Sequence, residues 1–202
     1  MKDIEALRTF CSELSSDQPS PGGGTASAAA GAMSASLLIM VCGMTGRSKR
    51  HIDHWQEIDS LKTNLVRRRD DLLSLAKEDA HAYDILFEAS KRQRADDSTE
   101  NRKEFQASLI KAAEVPARTA TECCALLEQS VIVAGLQTRS ASSDTVVAVM
   151  LAEAGFKGAS ANIEINLKDI TDTGFVQGTR EELRHQSAKV KTLVENALSK
   201  LR

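Results

Sequence analysis

Large rings are nearly absent from this chain. Phe, Trp and Tyr together make up 3% of its 202 residues. A core without them has to be filled by aliphatic and small side chains, which favours close helix packing. Proline is scarce too, with 3 in the chain, so long segments run without a helix breaker. No segment alternates apolar and polar residues long enough to make a half-buried strand. There is no internal repeat and no low-complexity linker. Neither sign of charge dominates: the net charge is −2, so the general electrostatic case for a nucleic-acid partner is missing. The 4 cysteines, Cys11, Cys42, Cys123 and Cys124, form no Cys-x-x-Cys pair, and the 4 histidines show no ligand spacing with them. No metal is expected on that pattern. The thiols read as reduced core fillers of a cytoplasmic protein, and no signal sequence is expected ahead of the first helix.

What is present is a globular composition, 42% hydrophobic and 27% charged. One domain is expected over residues 1–202. The most distinctive stretch opens Ser20-Pro21-Gly22-Gly23-Gly24-Thr25 and continues in Ala, Ser and Gly. No charged residue occurs from Gly22 to Gly46. A run of that length raises a membrane span. Its aliphatic block, however, is confined to Leu37–Val41, and no aromatic belt flanks it. A buried central helix, with no membrane partner, is the expectation.

Helical periodicity organises the rest. Ile4, Leu7, Phe10, Cys11 and Leu14 mark a first amphipathic helix, and 15–24 reads as loop. The buried helix is expected from Thr25 to about Met44, followed by a basic turn at Arg47–Arg50. A very long helix, or two abutting ones, covers about Ile52 to Ser90, with a polar break at Arg92–Ser98 capped by Asp97 or Ser98. Pro116 is expected to kink or restart the next helix. Ser142-Ser143-Asp144 reads as an N-cap cluster, Gly155 and Gly158 as an interruption, and Thr179–Glu182 as a capping box opening the final helix. The fold class is therefore all-α, a single-domain multihelical bundle with a buried small-residue central helix.

Three places carry possible chemistry. The turn Ser20, Pro21, Gly22, Gly23 and Gly24 opens a helix N-terminus, whose free N–H groups suit an anion or a carbonyl. It is not a P-loop, since no Gly-Lys-Ser/Thr follows. Otherwise it is a tight turn at a close helix contact. Asp79 lies on the stripe of Leu75, Ala76 and Leu86 and should point inward. There it is either a general acid or base with a shifted pKa, or a structural carboxylate capping a neighbouring backbone. Asp144 begins an otherwise apolar helix. Asn162 and Asn166, four apart, share a helix face and can hydrogen-bond a flat heterocycle, or serve as ordinary caps. Arg47 and Lys49 are either a solvated helix end or a landing site for the carboxylates of a ligand tail.

Four blocks taken together resemble the cyclodeaminase domain of the formiminotransferase-cyclodeaminase family. They are Ser20–Ala32, Glu78–Asp84, Ala113–Pro116, and Ser143–Ala148 through Asn162–Lys168. Thr25 stands where the family pattern carries Ser. The resemblance implies an all-helical homodimeric folate enzyme, with no metal and no cofactor beyond its tetrahydrofolate substrate. It implies deamination of 5-formiminotetrahydrofolate to 5,10-methenyltetrahydrofolate, or hydrolysis of the methenyl compound. It sets Asp79 and Asp144 as the carboxylates to place in the site. The glycine turn, Asn162, Asn166, Arg47 and Lys49 would hold the substrate.

Overall fold

The computed structural model describes residues 3–47 and 49–201, with the side chains of Asp3, Lys49, Arg50 and His51 outside that description. Among the described residues there are six α-helices and no strand. They are α1 (Asp3–Leu14), α2 (Gly23–Gly46), α3 (Trp55–Ala95), α4 (Thr99–Leu136), α5 (Ser142–Asn166) and α6 (Thr173–Ser199).

The small side chains of α2 explain the architecture. Gly24 lies against Asp79, Gly31 against Leu72 and Gly46 against Ile58, so α2 runs antiparallel to α3. On its other side Gly23 meets Asn162 and Ser27 meets Gly158, while the Ser34 hydroxyl donates to the Ala148 carbonyl at 2.7 Å. That sets α5 antiparallel to α2 as well. α4 closes the group, antiparallel to α3 through Arg68–Glu122 at 2.5 Å and Arg92–Glu104 at 2.5 Å. Cys123 of α4 reaches the middle: a Cβ on either Gly31 or Gly155 would stand 2.9 Å from its sulfur. At Gly24, Gly31, Gly155 and Gly158 another helix occupies the volume of a methyl group. α6 lies along α4 and α5, tied by Gln186 to Thr121 at 3.1 Å and by Arg180 to Glu164 at 3.1 Å.

Burial follows the same plan. Ala28, Ala35, Leu38 and Val41 of α2 are wholly buried, as are Leu65 and Leu72 of α3 and Leu126 and Leu127 of α4. α1 stands apart from this core, and its Ile4 and Leu7 are each 44% exposed. Three segments, centred on α2, α4 and α5, are long and apolar enough to cross a membrane by length and composition. Half of the apolar stretch of α2 is buried within the fold.

Several boundaries differ from those expected. α2 begins at Gly23, so two of the three glycines are helix rather than loop. α3 is one helix of 41 residues, and the break narrows to Asp96–Ser98, where Ser98 accepts from the Asn101 N–H at 3.3 Å. Pro116 does not interrupt α4. A proline leaves the carbonyl four residues earlier without its helical donor, and Asn166 Nδ2 supplies one to the Ala112 carbonyl at 2.7 Å. Gly155 and Gly158 do not break α5, because the space they leave is filled by α2. Ser142–Asp144 provides no side-chain cap: these residues lie in the first turn of α5, behind a short 3-10 turn over Arg139–Ala141. α6 starts at Thr173, capped by Asp172, which accepts from the Phe175 N–H at 3.0 Å. The local capping-box pattern at Thr179 therefore falls inside a helix that a better-placed cap had already begun.

Candidate functional site

The N-terminal turn of α2 is where candidate groups converge. Gly22 is its N-cap, in extended backbone at φ −134° and ψ −152°. No described glycine has a positive φ. Gly24 is needed for space, and the reason is Asp79: a Cβ on Gly24 would overlap its carboxylate.

Asp79 comes from α3, on the inward stripe that its spacing marks. It is half-buried, and Thr25 Oγ1 donates to its Oδ2 at 2.9 Å. The Thr25 backbone N–H also favours the ionised form of this carboxyl group. A carboxylate from one helix thus occupies the positive end of another, where such a charge is favoured. Burial nevertheless outweighs these bonds and holds the Asp79 pKa above its ordinary value. A carboxyl group raised in this way is a stronger base when ionised and keeps its proton more readily when neutral. Both properties serve proton transfer.

Asn162 approaches from α5. Its Nδ2 would lie 3.5 Å from a Cβ on Gly23, and it donates to the Gly158 carbonyl at 2.8 Å. Gly23 itself is exposed, and Ser20, Pro21 and Gly22 are half-buried beside it. An open helix end, a strengthened carboxyl base and an amide therefore meet in one place. Asn166 lies on the same face of α5, but its Nδ2 is spent on the Ala112 carbonyl, so it braces α4 at Pro116.

Two groups expected in the same site lie elsewhere in the chain. Arg47 is the exposed C-cap of α2. At 1.5 Å per residue it is about 35 Å along the helix from Gly24. Asp144 begins the antiparallel α5, near the level of Leu38 to Val41, roughly 20–25 Å from the Asp79 end. The sequence shows both to be polar neighbours of apolar helices; only the helix directions show that they sit at the far end. The Lys49 side chain lies outside the described residues. Thr25, by contrast, is a partner that sequence reasoning missed as a donor, although a hydroxyl in the first turn of a helix is a recognisable signal.

A separate groove of about 730 Å³ lies between α3, α4 and α6, lined in part by Asp71, Glu114, Arg118 and Glu182. Arg118 in it is paired with Glu78 at 2.5 Å. It does not include Gly24 or Asp79. Among the described residues no three His, Cys, Asp or Glu side chains gather as a metal site.

Comparison with known proteins identifies the family and the fold. The family model described as formiminotransferase-cyclodeaminase matches residues 6–185. A methenyltetrahydrofolate cyclohydrolase from Methylorubrum extorquens is 30% identical over 197 residues, covering 96% of this chain and 95% of that protein. The formimidoyltransferase-cyclodeaminase of Sus scrofa is 31% identical over 204 residues. That match takes in 96% of this chain but 36% of the pig protein, so the chain spans about a third of that relative. The crystal structure of formiminotetrahydrofolate cyclodeaminase from Thermotoga maritima superimposes with a TM-score of 0.89 at 29% identity, covering 96% of this chain and 94% of that one.

Proposed function

The chain belongs to the formiminotransferase-cyclodeaminase family, and we propose that it is a folate one-carbon enzyme that releases ammonia from 5-formiminotetrahydrofolate to give 5,10-methenyltetrahydrofolate. The observation that carries this reading is the raised Asp79 carboxyl group, bonded by Thr25 over the open glycine end of α2. The match to the Thermotoga maritima cyclodeaminase over nearly the whole chain supports it.

The reaction needs two proton transfers. A folate ring-side amine attacks the formimino carbon and must lose its proton. The tetrahedral carbon then expels ammonia, whose nitrogen must gain one. Asp79 serves both steps: ionised, it takes the proton from the attacking amine, and protonated, it delivers that proton to the leaving nitrogen. The Asn162 amide orients the pterin, and the exposed backbone at Gly22 and Gly23 lets the substrate approach closely. No metal or further cofactor takes part in this scheme.

A second reading is hydrolysis of 5,10-methenyltetrahydrofolate, with water as the nucleophile in the same pocket. It is favoured by the stand-alone cyclohydrolase relative, which this chain matches across 95% of its length. Parallel assays separate the two. Purified protein that releases ammonia from 5-formiminotetrahydrofolate supports the deaminase. Loss of methenyl absorbance beyond the spontaneous rate, without ammonia release, supports the hydrolase. Inactivity on both folates, with control enzymes active, sinks both readings.

The working form we propose is a cytoplasmic homodimer. The free, mostly buried cysteines fit a reducing compartment. The exposed Met33, Met40 and Met44 of α2 and Val147, Met150 and Ile165 of α5 fit coverage by a second copy.

A further inference from the structure

Cyclisation of a formimino folate joins N5 to N10 through the formimino carbon. N10 is bonded directly to the aminobenzoyl ring. A group that takes the proton from N10 must lie within hydrogen-bond reach of it. With Asp79 as that group, the aminobenzoyl ring is confined to about one helical turn from the Asp79 carboxyl.

Tyr83 stands one turn beyond Asp79 on α3. Residues four apart share a helix face, and long side chains lean back toward the helix N-terminus. Tyr83 therefore leans toward Asp79, and Phe87 toward Tyr83. The second contact is seen directly: the two rings are 6.2 Å apart between centres and within 15° of parallel. Lys91 follows at the next turn, with its Nζ 4.3 Å from the centre of the Phe87 ring. Glu88 holds that ammonium at 2.8 Å. Phe87 is thus fixed from behind, and the Tyr83 ring has Phe87 on one side and the turn of Asp79 on the other.

This column of rings starts where α2 stops. Gly24 faces Asp79 and α2 begins at Gly23, whereas α3 runs on to Ala95. The turn of α3 that carries Tyr83 therefore lies past the end of α2. Tyr83 is half-buried and Phe87 is 46% exposed. Neither ring is part of the hydrophobic core. They form a wall beside the open glycine end, in a chain that has few rings to spend.

We propose that Tyr83 is the ring-binding residue of this site: it stacks on the aminobenzoyl ring of the folate and so sets N10 against Asp79, while Phe87 and Lys91 hold the Tyr83 ring in place. The pterin, with its edge of donors and acceptors, is left to the Asn162 amide. This role rests on the folate reading above and adds to it the residue that places the attacking amine.

Tyr83 is the only tyrosine in the chain. Protein labelled with 3-fluorotyrosine therefore gives a single fluorine resonance that reports this ring alone. An upfield ring-current shift is expected with 5-formyltetrahydrofolate. It should be reproduced by p-aminobenzoylglutamate, which carries the ring and N10, and not by 6-hydroxymethylpterin. A resonance that stays in place with 5-formyltetrahydrofolate, or that moves with the pterin and not with the benzoyl fragment, overturns the assignment. The measurement uses the wild-type sequence, so it stands even where a variant misfolds.

Kinetics supply the second test, with whichever of the two folates the protein turns over. Tyr83→Leu should raise KM about ten- to a hundredfold, the scale of one lost aromatic stack, and leave the acid limb set by Asp79 in place. Tyr83→Phe, which keeps a ring, should recover most of that loss. A wild-type KM in Tyr83→Leu overturns the role of Tyr83 and leaves the folate reading intact. Wild-type protein inactive on both folates, with an unmoved fluorine resonance, sinks the folate reading and this role with it.

Discussion

Thr25 opens the first turn of α2 and bonds the Asp79 carboxylate, its Oγ1 donating at 2.9 Å across a sequence separation of 54 residues. The bond favours the ionised carboxylate, while burial favours the neutral acid. Removing the hydroxyl should therefore raise the Asp79 pKa further. Thr25→Val is expected to move the acid limb of the pH–rate profile upward and lower the rate at neutral pH. Thr25→Ser, which keeps the donor, should restore both. An unchanged acid limb in Thr25→Val would separate Thr25 from catalysis.

Asp79→Asn should separate activity from stability. As the proton-transfer group, Asp79 is expected to carry about 10²- to 10⁴-fold in rate. Its folded pKa lies above the unfolded one, so its neutral form favours the fold. That contribution is complete below the ordinary carboxylate range and is lost as pH rises through the raised pKa. The stability of Asp79→Asn relative to wild type should thus improve as pH climbs through this window and level off above it. Urea denaturation at a series of pH values measures the difference; a trend of opposite sign would mean that the Thr25 bonds outweigh burial.

At Pro116, the Ala112 carbonyl relies on Asn166. Asn166→Ala should cost about 1–3 kcal/mol by leaving a buried acceptor unpaired. In a Pro116→Ala background the new backbone N–H can take over, and the cost of Asn166→Ala should shrink. A double-mutant cycle reads the coupling directly; additive effects would remove the bracing role.

Glycine substitutions should split by their surroundings. At Gly155 a Cβ would stand 2.9 Å from both the Cys123 sulfur and the Ser27 carbonyl oxygen. The second of these is backbone and cannot yield, so Gly155→Ala should destabilise by about 1–3 kcal/mol. At Gly178, within α6, a Cβ meets nothing within 4 Å. Gly178→Ala should instead stabilise by roughly 0.5–1 kcal/mol through helix propensity. Thermal melts of the two variants should move in opposite directions.

Thiol labelling offers a simple test of the core. Burial pushes the Cys42 thiol up to about 11 and the Cys123 thiol up to about 12, whereas Cys11 is exposed. A thiol reagent at neutral pH should modify Cys11 quickly and reach the buried cysteines only on unfolding.

The boundaries that sequence reading missed share a cause. Pro116, Gly155 and Gly158 look like breaks when judged by local propensity. Each is compensated from another helix: an Asn166 amide meets the orphaned carbonyl, and α2 fills the space above the glycines. Thr179–Glu182 has the letters of a capping box, but Asp172 caps earlier and the helix runs through. At the site, the inward stripe placed Asp79 correctly, because helical phase is local information. The glycine end was legible as an open helix terminus, although Gly24 makes room for a carboxylate rather than supplying backbone freedom.

The sequence by itself determined the helical class, the small-residue helix at the centre and the residues able to carry chemistry. These follow from composition and from the 3.6-residue period, which act within a few turns of chain. Only the tertiary structure decided which of those residues meet. Helix direction and register put Asp79 and Asn162 at one end of α2 and sent Arg47 and Asp144 to the other. That outcome depends on how glycine surfaces let backbones approach, an interaction between segments far apart in the chain that no local pattern records.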